Sequence, residues 1–435
     1  MDVRHAALKC LIKTLEHQNF YEESFKQYAH EVNSPSELKN TLSGAIKFKL
    51  ALDFYVEKIS SKKISKLSPE IRNILRLGIF ELEFLKAPEY AVVNSYVELC
   101  GKLDKKSTGF VNAVLRNFIR KRADISINEN DLGEIKYISI KYSHPEWLVK
   151  RWIGFYGREE TEKICAYNNM PSKINLRINS LKTGRENLLK LFEEKNIKFE
   201  ESLFSKNCII VKESGNIKSI PGFEEGLWVV QGESSSLVAE ILAPEQDDKV
   251  LDFCAAPGGK TTHIAALMKD KGKIIAVDIS SDRIKRINQN CKRLDINSIH
   301  TVVGNAEELK FKEPFDKILI DSPCSNTGVF AARPDARWQK NSKDIEKLCE
   351  LQMKILKNAA CQLKSGGILV YSTCSIEHEE NEGLINRFLQ ENEDFKPESF
   401  KLGSAFENAE CSGMLQILQS RYQIDGFFIA KLKKL

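Results

Sequence analysis

From residue 249 onward, short apolar runs alternate with helical stretches, and this alternation constrains the fold more than any other feature of the chain. Runs at 249–253, 273–277, 300–303, 316–320 and 367–371 have the length of strands, with helix-like or loop-like sequence between them. Strands that recur with a helix between them pair in parallel and carry helices on both faces of the sheet. A later run, 425–431, has no helix after it and is expected to finish as an antiparallel strand inside the same sheet. The C-terminal part is therefore expected to be a Rossmann-like α/β domain with a mixed sheet, binding its ligand at the carboxyl ends of the strands.

At 435 residues the chain is too long for one core, so other domains accompany this one. Residues 1–142 read as a helical bundle: Ala7, Leu8, Leu11, Ile12 and Leu15 recur at helical spacing, as do Ile71, Ile74, Leu75, Leu77 and Phe80. Ser68-Pro69-Glu70 supplies a helix cap followed by a proline in the first turn. A helix over 110–122 sets Arg116 and Arg120 on one face, which suits either solvent or a phosphate backbone. Residues 143–228 change character. A helical stretch, the alternating run Ile174-Asn175-Leu176-Arg177-Ile178-Asn179 and a second helix over 184–196 make a small α+β module. Leu227-Trp228-Val229-Val230 is expected to begin the last unit, so the domains are 1–142, 143–228 and 229–435.

Composition removes several classes. Hydrophobic residues at 42% and charged residues at 29% are those of a folded globular chain. No run approaches the roughly 20 apolar residues of a membrane span, and Asp2, Arg4 and Lys9 stand where a signal peptide needs an apolar core, so no membrane and a cytoplasmic location are expected. The eleven cysteines include no Cys-x-x-Cys pair, so reduced thiols are expected and no metal site. The net charge of +5 comes from residues 1–144, with 23 Lys/Arg against 18 Asp/Glu, a modest excess that nucleic-acid binding and a solvated surface both explain.

Val250-Leu251-Asp252-Phe253 runs into Cys254-Ala255-Ala256-Pro257-Gly258-Gly259-Lys260-Thr261, a strand, a glycine turn and the start of a helix. Gly259-Lys260-Thr261 imitates a P-loop, but that pattern needs glycine at 254 and this chain has Cys254. Asp278 ends the next strand about twenty residues on, where a carboxylate can accept the hydroxyls of an adenosine ribose. No Gly-x-Gly-x-x-Gly is present, which leaves S-adenosylmethionine as the candidate ligand, its amino-acid end against the backbone N–H groups of Gly258, Gly259 and Lys260. A tight turn followed by a surface aspartate is the plainer alternative.

Two further cysteines follow strands of this sheet: Cys324 in Asp321-Ser322-Pro323-Cys324-Ser325 and Cys374 in Ser372-Thr373-Cys374-Ser375. Both emerge at the carboxyl edge, on the side of the glycine loop. Cys349 and Cys361, in a helical stretch, are expected to be buried structural thiols.

The segments 252–261, 321–325 and 372–375 closely resemble those of the RNA cytosine-5 methyltransferases, as do Arg333-Pro334-Asp335, Trp338 and Asp425-Gly426-Phe427-Phe428. Ala91-Val92-Val93-Asn94 and Gly109-Phe110-Val111-Asn112-Ala113-Val114-Leu115-Arg116 resemble the NusB-type RNA-binding domain. The combination is similar to the bacterial 16S (small-subunit) ribosomal RNA methyltransferase B group. The resemblance implies a multidomain chain: an all-α NusB-like bundle, a small RNA-facing α+β module carrying Arg177, and a Rossmann-like methyltransferase domain with a mixed seven-stranded sheet. It implies action on small-subunit ribosomal RNA with S-adenosylmethionine as cofactor; a monomer is expected, though the sequence itself does not fix the oligomeric state. The cofactor positions carried over are Cys254, Ala255, Ala256, Pro257, Gly258, Gly259, Lys260, Asp278, Asn305 and Asp321. Asn305 stands where the family commonly has aspartate, and an amide can both accept from adenine and donate to it.

The chemistry of such a family needs a thiol, because C5 of cytosine cannot attack a methyl group unaided. A thiolate that adds to C6 makes C5 enamine-like. The resemblance implies Cys374 as nucleophile, Cys324 as the residue that assists release, and Asp321 as the group that holds the base edge. Spacing does not order the two cysteines, and DNA cytosine methyltransferases attack with a Pro-Cys cysteine, the position of Cys324.

Overall fold

The chain, a computed structural model that describes residues 1–212, 217–407 and 410–435, divides into two units. One is Met1–Met170 together with Phe330–Lys340; the other is Pro171–Val329 together with Asn341–Leu435.

The first unit is helical, as the spacing of its apolar residues requires. Leu11, Leu42, Ile74, Leu77, Val114 and Phe118, from four helices, are fully or almost fully buried in one core. Ser68 caps the helix Pro69–Glu83, its side chain accepting from the Ile71 N–H. Gly78 lets that helix approach its neighbour: a Cβ there would lie 2.8 Å from Leu115 Cδ2. The helix Glu146–Asn169 belongs to this unit and breaks at Gly157, where φ is +76°. Arg116 and Arg120 are exposed on the helix Thr108–Lys121, each bonded to an asparagine of that helix, Asn112 and Asn117. A cleft of about 810 Å³ opens here among Phe54, Ile140, Trp147 and Trp338.

The segment 330–340 lies between the two cysteine motifs in sequence, yet packs as part of the helical unit. Asp335 Oδ2 accepts from the Tyr21 N–H at 3.0 Å, and Trp338 Nε1 donates to the Ile46 carbonyl at 2.9 Å. Arg337 is fully buried, and its guanidinium donates to the carbonyls of Lys47, Ser143 and Asn168 and to Asn169 Oδ1 at 2.9–3.1 Å. Burial pulls this guanidinium down to about 9, since no carboxylate balances it.

The second unit holds two principal sheets. The smaller has strands β1 (Ile174–Ile178), β2 (Phe199–Glu201), β3 (Cys208–Val211) and β4 (Trp228–Val230) in the antiparallel order β2-β3-β1-β4. The run 227–230 thus closes the small module instead of opening the last unit. Val230 faces Leu176 and Trp228 faces Ile178, so Trp228 completes the core of Leu176, Leu188 and Phe192. The larger sheet contains β5 (Lys249–Phe253), β6 (Lys273–Asp278), β7 (Ile299–Val303), β8 (Phe315–Asp321) and β9 (Leu363–Thr373), then β10 (Phe395–Pro397). After the short pair β11 (Phe400–Lys401) and β12 (Glu410–Cys411) come β13 (Met414–Ile417) and β14 (Phe427–Lys434).

Strands β7, β6, β5, β8 and β9 are parallel neighbours, and β14 runs antiparallel beside β9. With β10 they lie in the order β10-β14-β9-β8-β5-β6-β7, a mixed sheet that β13 makes eight-stranded where seven strands are expected. An eighth strand, β13, shares the outer edge of β14 with β10: β13 covers Phe427–Ala430 and β10 covers Leu432–Lys434, leaving little of that edge unpaired. Among the described residues no helix is long and apolar enough to cross a membrane.

Candidate active site

Parallel strands present their carboxyl ends on one edge, and the candidate residues collect there because β5, β8 and β9 are neighbours. The glycine loop leaves β5 at Cys254, whose φ is +61°, and passes Gly258, at φ +95°, into the helix Gly259–Leu267. Ala255 and Ala256 are buried and Pro257 is exposed. Asp278 braces the loop: its carboxylate accepts from the Ala256 N–H at 3.2 Å and the Ser280 N–H at 3.1 Å, with Arg283 at 3.5 Å. Asn305 Oδ1 accepts from the Glu307 N–H at 3.1 Å, which commits the carbonyl end of its amide.

Beneath the loop lies Asp252, which the motif contains but the sequence does not mark as functional. It is fully buried, accepts from Thr261 Oγ1 at 2.6 Å, and its Oδ1 has no hydrogen-bond partner. Burial, reinforced by Asp321 and Asp278, raises its carboxyl to about 7 against the pull of Thr261. Burial and the same three aspartates push the Cys254 thiol up to about 12, so this cysteine stays protonated. Arg177 supports the loop from behind. It is buried, its Nε donates to Gln231 Oε1 at 2.6 Å, and its terminal nitrogen reaches Thr262 Oγ1 at 3.0 Å and the Gly259 carbonyl at 3.5 Å.

The loop meets the cysteine segments through Lys260 and Asp321, whose charged groups lie 2.7 Å apart. Ser372 Oγ donates to the other oxygen of Asp321 at 3.2 Å. Because Asp321 pairs with Ser372 across β8 and β9, Cys324 and Cys374 follow by three and two residues and converge: their sulfurs are 3.3 Å apart. Cys374 Sγ also lies 3.2 Å from Asn326 Oδ1, and Asn326 Nδ2 donates to the Cys324 carbonyl at 3.1 Å. Asn326 has φ +62°, a conformation asparagine tolerates, and that chemistry was the available signal for it. Cys324 is 7% exposed. The adjacent Cys374 sulfur, burial and Glu380 hold its thiol well above the ordinary range. Cys361, expected to be a buried thiol, is exposed instead: it lies just beyond the end of the helix Ser342–Ala360, and Cys349 is only partly buried.

A strand–glycine turn–helix unit at the switch of a mixed sheet, ringed by aspartates and facing two paired thiols, defines a Rossmann-like methyltransferase domain. Residues 239–433 match the model for 16S rRNA methyltransferase RsmB/F, residues 1–120 the NusB family, and residues 144–218 the ferredoxin-like domain of the RsmF/B-like methyltransferases. The chain belongs to the 16S ribosomal RNA methyltransferase B family. It is 36% identical to the probable ribosomal RNA small subunit methyltransferase B of Bacillus subtilis over 99% of this chain and 98% of that one. The corresponding Synechocystis protein is 38% identical over 90% and 89%. Among solved structures, PH0851 covers 99% of both chains at a TM-score of 0.80 and 28% identity. NSun6 from Pyrococcus horikoshii, solved with SFG, covers 67% of this chain and 98% of its own at 0.60 and 26%.

Proposed function

We propose that the protein transfers a methyl group from S-adenosylmethionine to C5 of a cytosine in 16S ribosomal RNA, through a temporary bond between Cys374 and C6 of the base. The observation that carries this reading is the pair of sulfurs 3.3 Å apart, next to Asp321 and, through Lys260, to the glycine loop.

The loop suits the proposed cofactor in charge. The first N–H groups of the helix Gly259–Leu267 have no helical carbonyl to bond and can receive a carboxylate. Asp252, Asp278 and Asp321 lie close enough to one another to couple electrically, an environment that favours a sulfonium cation. Asp278 would hold the ribose and Asn305 would donate its amide N–H to adenine. The cofactor supplies an electrophilic methyl group.

The residues of the chain do the rest. Cys374 Sγ forms a bond to C6, and the electron pair displaced from the C5–C6 double bond makes C5 the nucleophile. Asp321 holds the N3 and N4 edge of the base, and by sharing a proton with N3 it stabilises the negative charge that addition develops there. Once C5 carries the methyl group its proton must go to a base; the electron pair left behind restores the double bond as Cys374 leaves. Cys324, adjacent to the departing sulfur, assists that release. The target cytosine must leave its stack to reach such a pocket, which suits RNA with unpaired loops.

In the test, Cys374→Ala is expected to bind S-adenosylmethionine and transfer no methyl. Cys324→Ala is expected to accumulate an RNA adduct that survives denaturing gels. Turnover retained by Cys374→Ala would move the nucleophile to Cys324. Release without any adduct in Cys324→Ala would remove the second role.

A further inference from the structure

Glu380 is fully buried in the turn His378–Glu380, which follows the second cysteine segment but lies outside the motifs. A buried carboxyl normally sits beside a cation; this one accepts its hydrogen bonds from neutral groups. Its Oε1 accepts from the Ser325 N–H and from Gln352 Nε2, both at 2.9 Å. Its Oε2 accepts from Ser375 Oγ at 2.5 Å and from Ser325 Oγ. Ser325 and Ser375 are the residues immediately after Cys324 and Cys374, and their hydroxyls are 3.0 Å apart. Gln352 Nε2 also donates to the Pro323 carbonyl at 2.9 Å, so the peptides on both sides of Cys324 are held by one Glu380–Gln352 pair.

Nothing in the packing of the sheet alone demands this. Strands β8 and β9 end at Asp321 and Thr373, and beyond them the two loops are joined through side chains and a few main-chain bonds such as Gly328 N–H to the Cys374 carbonyl at 3.0 Å. A single carboxyl that accepts from both loops removes their freedom to separate. The cost of burying it is met by four donors.

We propose that Glu380 is a positioning residue for the methyl transfer: it ties the two cysteine loops together and sets the sulfur spacing on which the hand-over between Cys374 and Cys324 depends. This inference rests on the reading of those cysteines as nucleophile and release residue. Glu380 touches neither the base nor the cofactor in this scheme. Attack by Cys374 needs only its own sulfur. Release needs both sulfurs, so loss of the tie acts on release first.

Two variants separate this role from simple support of the fold. In Glu380→Gln the amide oxygen keeps the Ser325 N–H and Gln352 bonds. The amide nitrogen donates to the two serine hydroxyls, which can turn to accept. Glu380→Ala loses all four. Glu380→Ala is expected to accumulate the denaturation-resistant RNA adduct and to release it about a hundredfold more slowly, while Glu380→Gln stays near wild type. Adding Glu380→Ala to Cys324→Ala is expected to slow release no further than Cys324→Ala alone. A second readout needs no RNA. Diamide, which takes two electrons and two protons from a pair of thiols, is expected to join Cys324 to Cys374 at least about tenfold more slowly in Glu380→Ala than in wild type. Peptide mapping identifies the bridge. Loss of turnover in Glu380→Ala without adduct and with unchanged diamide coupling would overturn the inference, as would a Glu380→Gln protein that behaves like Glu380→Ala. Turnover by Cys374→Ala would instead overturn the underlying reading of the nucleophile, so the two failures are distinguishable.

Discussion

Replacing Asp252 with asparagine is expected to remove a pH-dependent weakness from beneath the glycine loop. Burial is the main cause of the rise in its carboxyl from the ordinary 3.8 to about 7. A carboxyl that binds its proton more tightly in the folded state contributes stability that is fully present below 3.8 and is lost as pH rises through about 7. The rise corresponds to at most about 4 kcal/mol. The 2.6 Å bond from Thr261 survives the substitution because an amide oxygen accepts it equally well. The position of Oδ1 offers no partner to either an amide nitrogen or an acid proton, so that penalty is shared by asparagine and the protonated aspartic acid.

Wild type and Asp252→Asn are therefore expected to be most alike in stability below about pH 4, with the variant gaining as pH rises through about 7 and levelling off by about 8. For a unit of this size the gain reaches at most about 10 °C in the melting temperature of the second unit. Scanning fluorimetry of the cofactor-free protein over that pH range reads it, and comparison with the variant cancels the titration of every other group. A difference between the two proteins that stays flat with pH would refute the reasoning, because the folded carboxyl would then not titrate near 7.

Gly328→Ala is expected to lower both stability and turnover, because its Cβ would lie 2.1 Å from the Gly426 carbonyl oxygen. A cost of about 1–3 kcal/mol in chemical denaturation is expected, and unchanged stability would show that the two backbones can move apart. Arg337→Ala is expected to destabilise the helical unit by about 3 kcal/mol, since the Lys47, Ser143 and Asn168 carbonyls lose their buried donor. Cofactor affinity measured by calorimetry should not change, and a loss of affinity as large as the loss of stability would contradict a role confined to that unit.

What the sequence makes legible here are the features set by local periodicity. Alternating strands and helices predict the parallel sheet, and the missing helix after Phe427–Lys434 predicts its antiparallel member. The glycine turn, Asp278 and both cysteines fall at one edge for the same reason: each follows a strand. Long-range pairing is less legible. Trp228–Val230 looks like the first strand of a new domain, yet it completes the small sheet through partners about fifty residues earlier in the sequence, at Leu176–Ile178. Strands β10 and β13 are three and four residues long, too short for alternation to show. Residues 330–340 read as a loop between motifs; that Arg337 and Trp338 serve the helical unit depends on carbonyls nearly two hundred to three hundred residues away. Arg177 carries a basic side chain that composition assigns to a surface, but it is buried against Gln231 and Thr262. Glu380, surrounded in sequence by other acidic residues, gives no sign that it is buried while Glu379 and Glu382 are exposed.

The environment of the two sulfurs bears on the one question that spacing leaves open, their order. Two thiols 3.3 Å apart do not both ionise, because a second negative charge at that distance is strongly opposed. Cys324 is buried and faces the electric field of Glu380, which holds its proton on; Cys374 is partly exposed. Burial and Glu380 hold the proton on Cys324, which suits the release role proposed for it and sets the two sulfurs apart. The tie through Glu380 supports that asymmetry twice, by keeping the sulfurs close enough to share a proton and by disfavouring negative charge on the inner one.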